Sequence, residues 1–173
     1  MADNITTEKK QMLKLDAEVV RCLKCGEDNT FLSAADIYEY GVWIARDQTN
    51  TCFSRVQLIN NPVFDEFLGL IKQICIEHNI EDYEKYLLPE ITQELFPVAC
   101  DPVKDNSISF RSGPRVCKHC GSHDLSGKLS KPLSSIAVET FDVTYDSWNN
   151  KTQEARKQLV LNALREAQII IPV

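Results

Sequence analysis

Arg21-Cys22-Leu23-Lys24-Cys25-Gly26 and Val116-Cys117-Lys118-His119-Cys120-Gly121 are the two stretches that decide how this chain folds. Each sets two cysteines three positions apart and follows the second with glycine. That spacing lets one tight turn offer both sulfurs to a single ion, and glycine tolerates the positive φ that carries the backbone beneath it. One pair supplies half a tetrahedron; two pairs supply the four thiolates, at about 2.3 Å, that zinc prefers. Four thiolates leave no position for a bound water. The expectation is therefore one structural zinc per chain, held by Cys22, Cys25, Cys117 and Cys120, rather than a hydrolytic centre.

The two units resemble the knuckles of a zinc ribbon, and Ser122-His123-Asp124-Leu125 after the second suits that resemblance. It implies a metal-binding platform and no particular activity. The departure is the spacer: zinc ribbons separate their pairs by about 15–20 residues, whereas 91 residues, 26–116, lie between Cys25 and Cys117. Loop-closure entropy grows only as (3/2)RT ln n, so the longer spacer costs about 1.4 kcal/mol more. Structural zinc binding contributes about 10–16 kcal/mol, so a shared site survives the spacer. Iron can occupy the same four thiolates, as in rubredoxin-like proteins. A thioredoxin-like role for Cys22 and Cys25 requires a βαβ setting that this sequence does not offer. Ordinary reduced cysteines are the bland alternative for either pair.

The remaining composition narrows the class. With 173 residues, of which 43% are hydrophobic, the chain can form one sizeable core without disulfide staples. Aliphatic and aromatic residues run throughout, which excludes collagen-like and disordered classes. The seven cysteines are odd in number and too sparse for a disulfide framework. Met1-Ala2-Asp3-Asn4-Ile5 is polar, unlike a secretory signal, and the apolar run Ile169-Ile170-Ile171 is far too short for a membrane span. A cytoplasmic protein without a membrane partner is expected.

Periodicity gives an α+β fold. A frayed arm or short helix is expected over residues 1–15, then a short strand over 18–21 that delivers the first cysteine pair. Residues 33–46 are ambiguous: Ser33-Ala34-Ala35-Asp36 looks like a capping box, yet 38–44 is rich in β-formers. A strand near 40–46, a turn at Asp47-Gln48-Thr49-Asn50 and a strand over 51–59 make a hairpin. Asn61 and Pro62 open a helix whose face is Val63, Phe67, Leu70, Ile71 and Ile74. Helical pieces follow over 80–88 and 90–96, each stopped by proline. Ile108 and Phe110 hint at a strand leading into the second cysteine pair. Residues 136–145 alternate, with Ala137, Phe141, Val143 and Tyr145 on one face. Asn150 and Gln153 resemble a capping box for a helix over 151–168, with Ala155, Leu159, Ala163, Leu164 and Ala167 inward. The expected organisation is a zinc ribbon-like part over 1–26 and 106–173, interrupted by a hairpin-plus-helices module over 27–105. The metal site then joins the N- and C-terminal segments.

Charge separates the function classes. The whole chain is at −6, but residues 62–105 alone hold 10 acids against 3 bases. An acidic helical surface suits a basic protein partner and speeds their encounter; Glu81, Asp82 and Glu84 are its expected centre. Small acidic proteins without catalytic motifs resemble, in this general way, immunity or inhibitor proteins that neutralise basic nucleases. A merely solvated face is the plain alternative. The opposite reading is nucleic-acid binding at the ribbon by Arg111, Arg115, Lys118 and Lys128, with Lys131 nearby and Phe110 available to stack. Acidic net charge weighs against it. No phosphate-binding glycine loop, GxSxG or HExxH occurs, and the carboxylates over 65–94 read as a solvated helix face, so the balance leans away from an enzyme. Cys75 and His78 share a helix face, but Cys75 also completes its apolar stripe. Cys52 and Cys100 read as small core hydrophobes. His119 and His123 could substitute for a thiolate. The apolar residues near Trp148 and 169–173 are a remaining surface for contact.

Overall fold

The computed structural model describes residues 11–33, 41–47, 52–103, 107–110 and 115–170. Its first element, β1 (Gln11–Cys22), is the longest strand and the organising one. Leu13, Leu15 and Ala17 alternate with Lys14, Asp16 and Glu18, which is the period-two pattern of a strand buried on one side. Strands β2 (Asp28–Ser33), β3 (Val42–Asp47), β4 (Phe53–Gln57), β5 (Ile108–Ser109), β6 (Leu125–Leu129) and β7 (Ser134–Asp142) complete one seven-stranded sheet. Its order is β2-β1-β7-β4-β3-β5, with β6 paired to β1 off this path. All pairings are antiparallel except β4 with β7. Strands from both sides of the long spacer thus share a single sheet.

One face of the sheet carries the helices. Asn61 caps α1 (Pro62–Glu77), its side chain accepting from the Val63 and Phe64 backbone N–H groups, and Pro62 occupies the first turn, where its missing N–H costs nothing. Val63, Phe67, Leu70, Ile71 and Ile74 are buried as their 3.6-residue spacing requires, and Cys75 joins them. A 3-10 turn (Tyr83–Leu87), α2 (Pro89–Leu95) and a second 3-10 turn (Phe96–Ala99) follow. The chain closes with α3 (Asp146–Asn149) and α4 (Gln153–Glu166). Phe96 is the hub of this layer, with ring centroids 5.0 Å from Phe64 and 5.1 Å from Phe67. Trp43 and Phe110 close the aromatic cluster from the sheet side. A smaller cluster of Leu15, Ile44 and Phe53 is buried on the other face.

Several local expectations are corrected. Residues 11–15 are strand, not arm or helix, because Leu13 and Leu15 flank Lys14 in the alternation that continues through Asp16, Ala17 and Glu18. The 80–88 stretch forms only a 3-10 turn. Of the alternating residues expected on one face, Val143 and Tyr145, just beyond β7, do meet the helical layer; Phe141 is half-buried and Ala137 is exposed. Val138 and Thr140 are instead covered on the opposite side. Helix α4 is capped by Thr152, whose hydroxyl accepts from the Ala155 N–H, and it buries Val160, Ala163 and Leu164, while Ala155 is exposed. Trp148 is core, with its Nε1–H donated to Glu66 at 2.9 Å, and Ile170 is buried too. The capping box at 33–36 and the turn at 47–50 fall largely outside the described residues, as does 171–173.

Candidate metal centre

The hairpin turn between β1 and β2 is the first knuckle, and the turn before β6 is the second. They are built alike. In the first, Gly26 N–H donates to Cys22 O at 2.9 Å and Cys22 N–H to Glu27 O at 2.8 Å. In the second, Gly121 N–H donates to Cys117 O at 2.8 Å and Cys117 N–H to Ser122 O at 2.8 Å. Gly26 and Gly121 have φ of 79° and 69°, the left-handed values that side chains resist. A Cβ would meet nothing within 4 Å at either glycine, so backbone conformation, and not crowding, selects the residue there. In each knuckle the first cysteine is buried and the second exposed.

Sheet pairing brings the two knuckles together. Cys22 lies opposite Leu125 of β6, and Leu23 N–H donates to Asp124 O at 2.9 Å. The reciprocal contact is made by a side chain: Lys118 N–H donates to Asn29 Oδ1 at 2.8 Å. Asn29 stands seven residues after Cys22, as Asp124 does after Cys117, so the two cross-braces occupy equivalent places. The four sulfurs converge as a result. Cys22 Sγ lies 3.7 Å from Cys120 Sγ and Cys25 Sγ lies 3.6 Å from Cys117 Sγ, and all four fall within 4.8 Å of one another. Tetrahedral thiolate coordination at about 2.3 Å requires sulfurs about 3.8 Å apart. The cluster fits a single tetrahedral metal ion, consistent with a zinc ribbon-like motif joining N- and C-terminal segments.

The chain matches no protein-family model, no curated protein and no solved structure.

The electrostatics of the cluster are compatible with a bound cation. Burial works against the Cys117 thiolate, but the backbone N–H groups of Cys120 and His119, the Asn29 amide and Cys25 prevail and bring its pKa down to about 6. At Cys25 a backbone hydrogen bond near Glu27 favours the thiolate, yet desolvation and the neighbouring thiols push the pKa up to about 12. One sulfur ionises readily; further thiolates beside it are opposed by like charge. A bound divalent cation removes that opposition.

Asn29 is the participant that sequence reasoning missed. It is 2% exposed, and its Nδ2 donates to Glu27 O at 3.1 Å and to Cys117 Sγ at 3.4 Å. The amide cannot be flipped, because Oδ1 must face the Lys118 N–H. The only sequence signal for it is its place seven residues beyond Cys22, matched by Asp124.

The other candidate residues lie apart from the sulfurs. Among the described residues the metal-competent cluster contains the four cysteines alone; His119 and His123 are exposed beside it. Cys75 is buried and His78 is exposed at the end of α1, so they form no pair. Cys52 is buried and Cys100 half-buried. Glu81, Asp82 and Glu84 are all exposed where α1 gives way to the 3-10 turn. Lys118 and Lys128 are exposed on the knuckle and on β6. Arg115 is engaged within the chain, 2.7 Å from Glu18 and stacked over Phe31 at 5.4 Å. Arg111 lies outside the described residues. No helix among the described residues is long and apolar enough to cross a membrane.

Proposed function

We propose that this protein is a zinc-stabilised protein-binding module of the immunity or inhibitor type, whose acidic surface engages a basic protein partner. The convergence of four sulfurs on one point carries the reading. A four-thiolate site is coordinatively closed, so it suits a scaffold better than hydrolysis. Zinc, when bound, supplies a crosslink between chain segments distant in sequence. The protein's own residues do the rest: Gly26 and Gly121 turn the backbone, while Asn29 and Asp124 brace one knuckle on the other. In this reading residues 1–26 and 106–173 carry the metal centre. Residues 27–105 are the acidic module, and Glu81, Asp82 and Glu84 stand exposed at its corner.

Two experiments test this. Metal analysis of purified protein should find one zinc per chain, lost in both Cys22→Ser and Cys117→Ser; zinc retained in either variant refutes the shared centre. For the partner, Glu81→Lys and Glu84→Lys reverse two charges. Asp82 has φ of 53°, so Asp82→Asn is the better third change, since asparagine tolerates that conformation. The triple variant should slow association with a partner captured from native lysate, and added salt should narrow the difference. An unchanged on-rate excludes the acidic corner.

A second reading, nucleic-acid binding at the knuckle face, rests on exposed Lys118 and Lys128. Lys118→Ala with Lys128→Ala should then lower affinity and its salt slope, whereas the acidic triple variant should leave binding intact or improve it.

A further inference from the structure

Strand β7 is covered on its outer side for only part of its length. It pairs with β1 from Ser134 to Thr140, but with β4 only from Thr140 to Asp142. Among the described residues no strand pairs with the outer edge of 134–138, and Ser134, Ser135, Ile136 and Ala137 are all exposed. Two hydrogen bonds fix which backbone groups face outward. Val143 N–H donates to Arg55 O at 2.9 Å, towards β4, and Ser130 N–H donates to Val19 O at 2.7 Å, towards β1. Backbone groups alternate sides along a strand, so Leu133, Ser135 and Ala137 turn both N–H and C=O outward. Pro132 falls on the opposite phase, facing β1, so its missing N–H does not blunt this edge.

The side chains give this edge little protection. Soluble sheets guard exposed edges with charge, yet Pro132-Leu133-Ser134-Ser135-Ile136-Ala137-Val138 carries none. Charge stands only at the ends, in Lys131 and Glu139. Leu133 and Ile136 are 55% and 39% exposed. An antiparallel two-fold pairing centred on Ser135 suits this pattern throughout. It opposes Leu133 to the partner's Ala137 and Ser135 to the partner's Ser135, each pair exchanging both backbone hydrogen bonds. The two Ile136 side chains meet diagonally across the axis on one face. Lys131 comes opposite the partner's Glu139. The pairing ends at 139, immediately before Thr140, where β4 takes over the edge. Centring it on Ala137 would oppose Ser134 to the partner's Thr140, whose outer side β4 already fills. Centring it on Leu133 would leave Lys131 against serine.

We infer that two copies of this chain join along the β7 edge, Ser135 against Ser135, into one continuous sheet. The matched signs at Lys131 and Glu139 select a second copy over an unrelated strand. A single edge pair buries less than the roughly 1,200–2,000 Å² of a standard interface, so the dimer is weak and forms at high protein concentration.

Sedimentation velocity of the full chain, run from micromolar to millimolar concentration, tests this. A reversible monomer–dimer equilibrium is expected. Ser135→Lys sets like charges against each other on the axis and should weaken association at least tenfold. Ala137→Pro removes an outward N–H and should do the same. Both positions are exposed, so the melting temperature of dilute Ser135→Lys should match wild type. Charge tests the register. Lys131→Glu or Glu139→Lys should each weaken the dimer several-fold at low salt, and the double reversal should restore it. A chain that stays monomeric at millimolar concentration overturns the proposal. So does wild-type association in Ser135→Lys, or a double reversal no tighter than the single ones. None of these readouts depends on the acidic corner at Glu81, Asp82 and Glu84.

Discussion

Replacing Asn29 with alanine should damage the metal centre without touching a ligand. Three hydrogen bonds disappear: Nδ2 to Glu27 O, Nδ2 to Cys117 Sγ, and Lys118 N–H to Oδ1. Glu27 O keeps the Cys22 N–H, so that loss is mild. The Lys118 N–H loses its acceptor at the foot of the knuckle. Counting about 1 kcal/mol for an ordinary bond and more for an unsatisfied donor, Asn29→Ala should destabilise the metal-bound protein by about 2–4 kcal/mol. The contact with Cys117 should appear separately as metal affinity. Partners of ligating groups are worth 10- to 100-fold in affinity, so a tenfold loss or more is expected in competition with a chromophoric chelator. Asn29→Asp sharpens the test, since it retains an acceptor for Lys118 but sets a carboxylate against the thiolate. If Asn29 only braces the knuckle, Asn29→Asp should bind metal almost normally; if it stabilises the Cys117 thiolate, affinity should fall at least as far as in Asn29→Ala. Wild-type zinc affinity in both variants would refute the account.

At Gly121, whose φ is 69° with open space around the position, Gly121→Ala should cost about 1–2 kcal/mol in urea denaturation of the metal-bound protein, and Gly121→Asn less. Glu66 bridges Trp148 Nε1 and Arg156 at 2.9 Å, holding α1 against the start of α4. Its side chain is 33% exposed, so screening limits the loss in Glu66→Ala to about 1–3 kcal/mol. Burial opposes the charged Glu66, but Trp148 and Arg156 more than offset it and lower its pKa. The stabilisation is therefore complete above the unfolded value, about 4.3, and lost as pH falls through the lower folded value; Glu66→Gln should flatten the stability profile in that acid window. Chelation should first deprotect the second knuckle and β6, which meet β1 at Val20 and Cys22, while α1 keeps its protection; uniform deprotection in hydrogen exchange would show that the whole fold depends on metal.

The elements legible in the sequence are those whose signals are local. The two cysteine pairs announce themselves by spacing and glycine, and α1 by Asn61, Pro62 and an uninterrupted apolar stripe. What was not legible depends on partners distant in the chain. The first half of β1 reads as a polar arm until β7 covers Leu15 and Ala17, even though the alternation is present. Trp148 reads as a free apolar residue until Glu66, 82 positions earlier, accepts its indole N–H. Helix α4 carries cap signals at both Asn150 and Thr152. Only the path of the chain out of α3 decides that Thr152 reaches the Ala155 N–H.

The two knuckles repeat one backbone design, and the difference between them follows from a single position. Seven residues beyond its first cysteine, the second knuckle offers the Asp124 carbonyl to Leu23, and the first offers the Asn29 side chain to Lys118. A carbonyl brace ends at its one acceptor. An amide brace still has an N–H to spend, and here it points at Cys117. The asymmetry therefore falls on the sulfurs: Cys117 gains an amide donor, and Cys22 has no amide side chain donating to it among the described contacts. Cys117 is the thiol brought down to about 6, whereas Cys25 is pushed up to about 12. One backbone design repeated twice thus yields two unlike knuckles, because the brace at Asn29 is a side chain and the brace at Asp124 is a main-chain carbonyl.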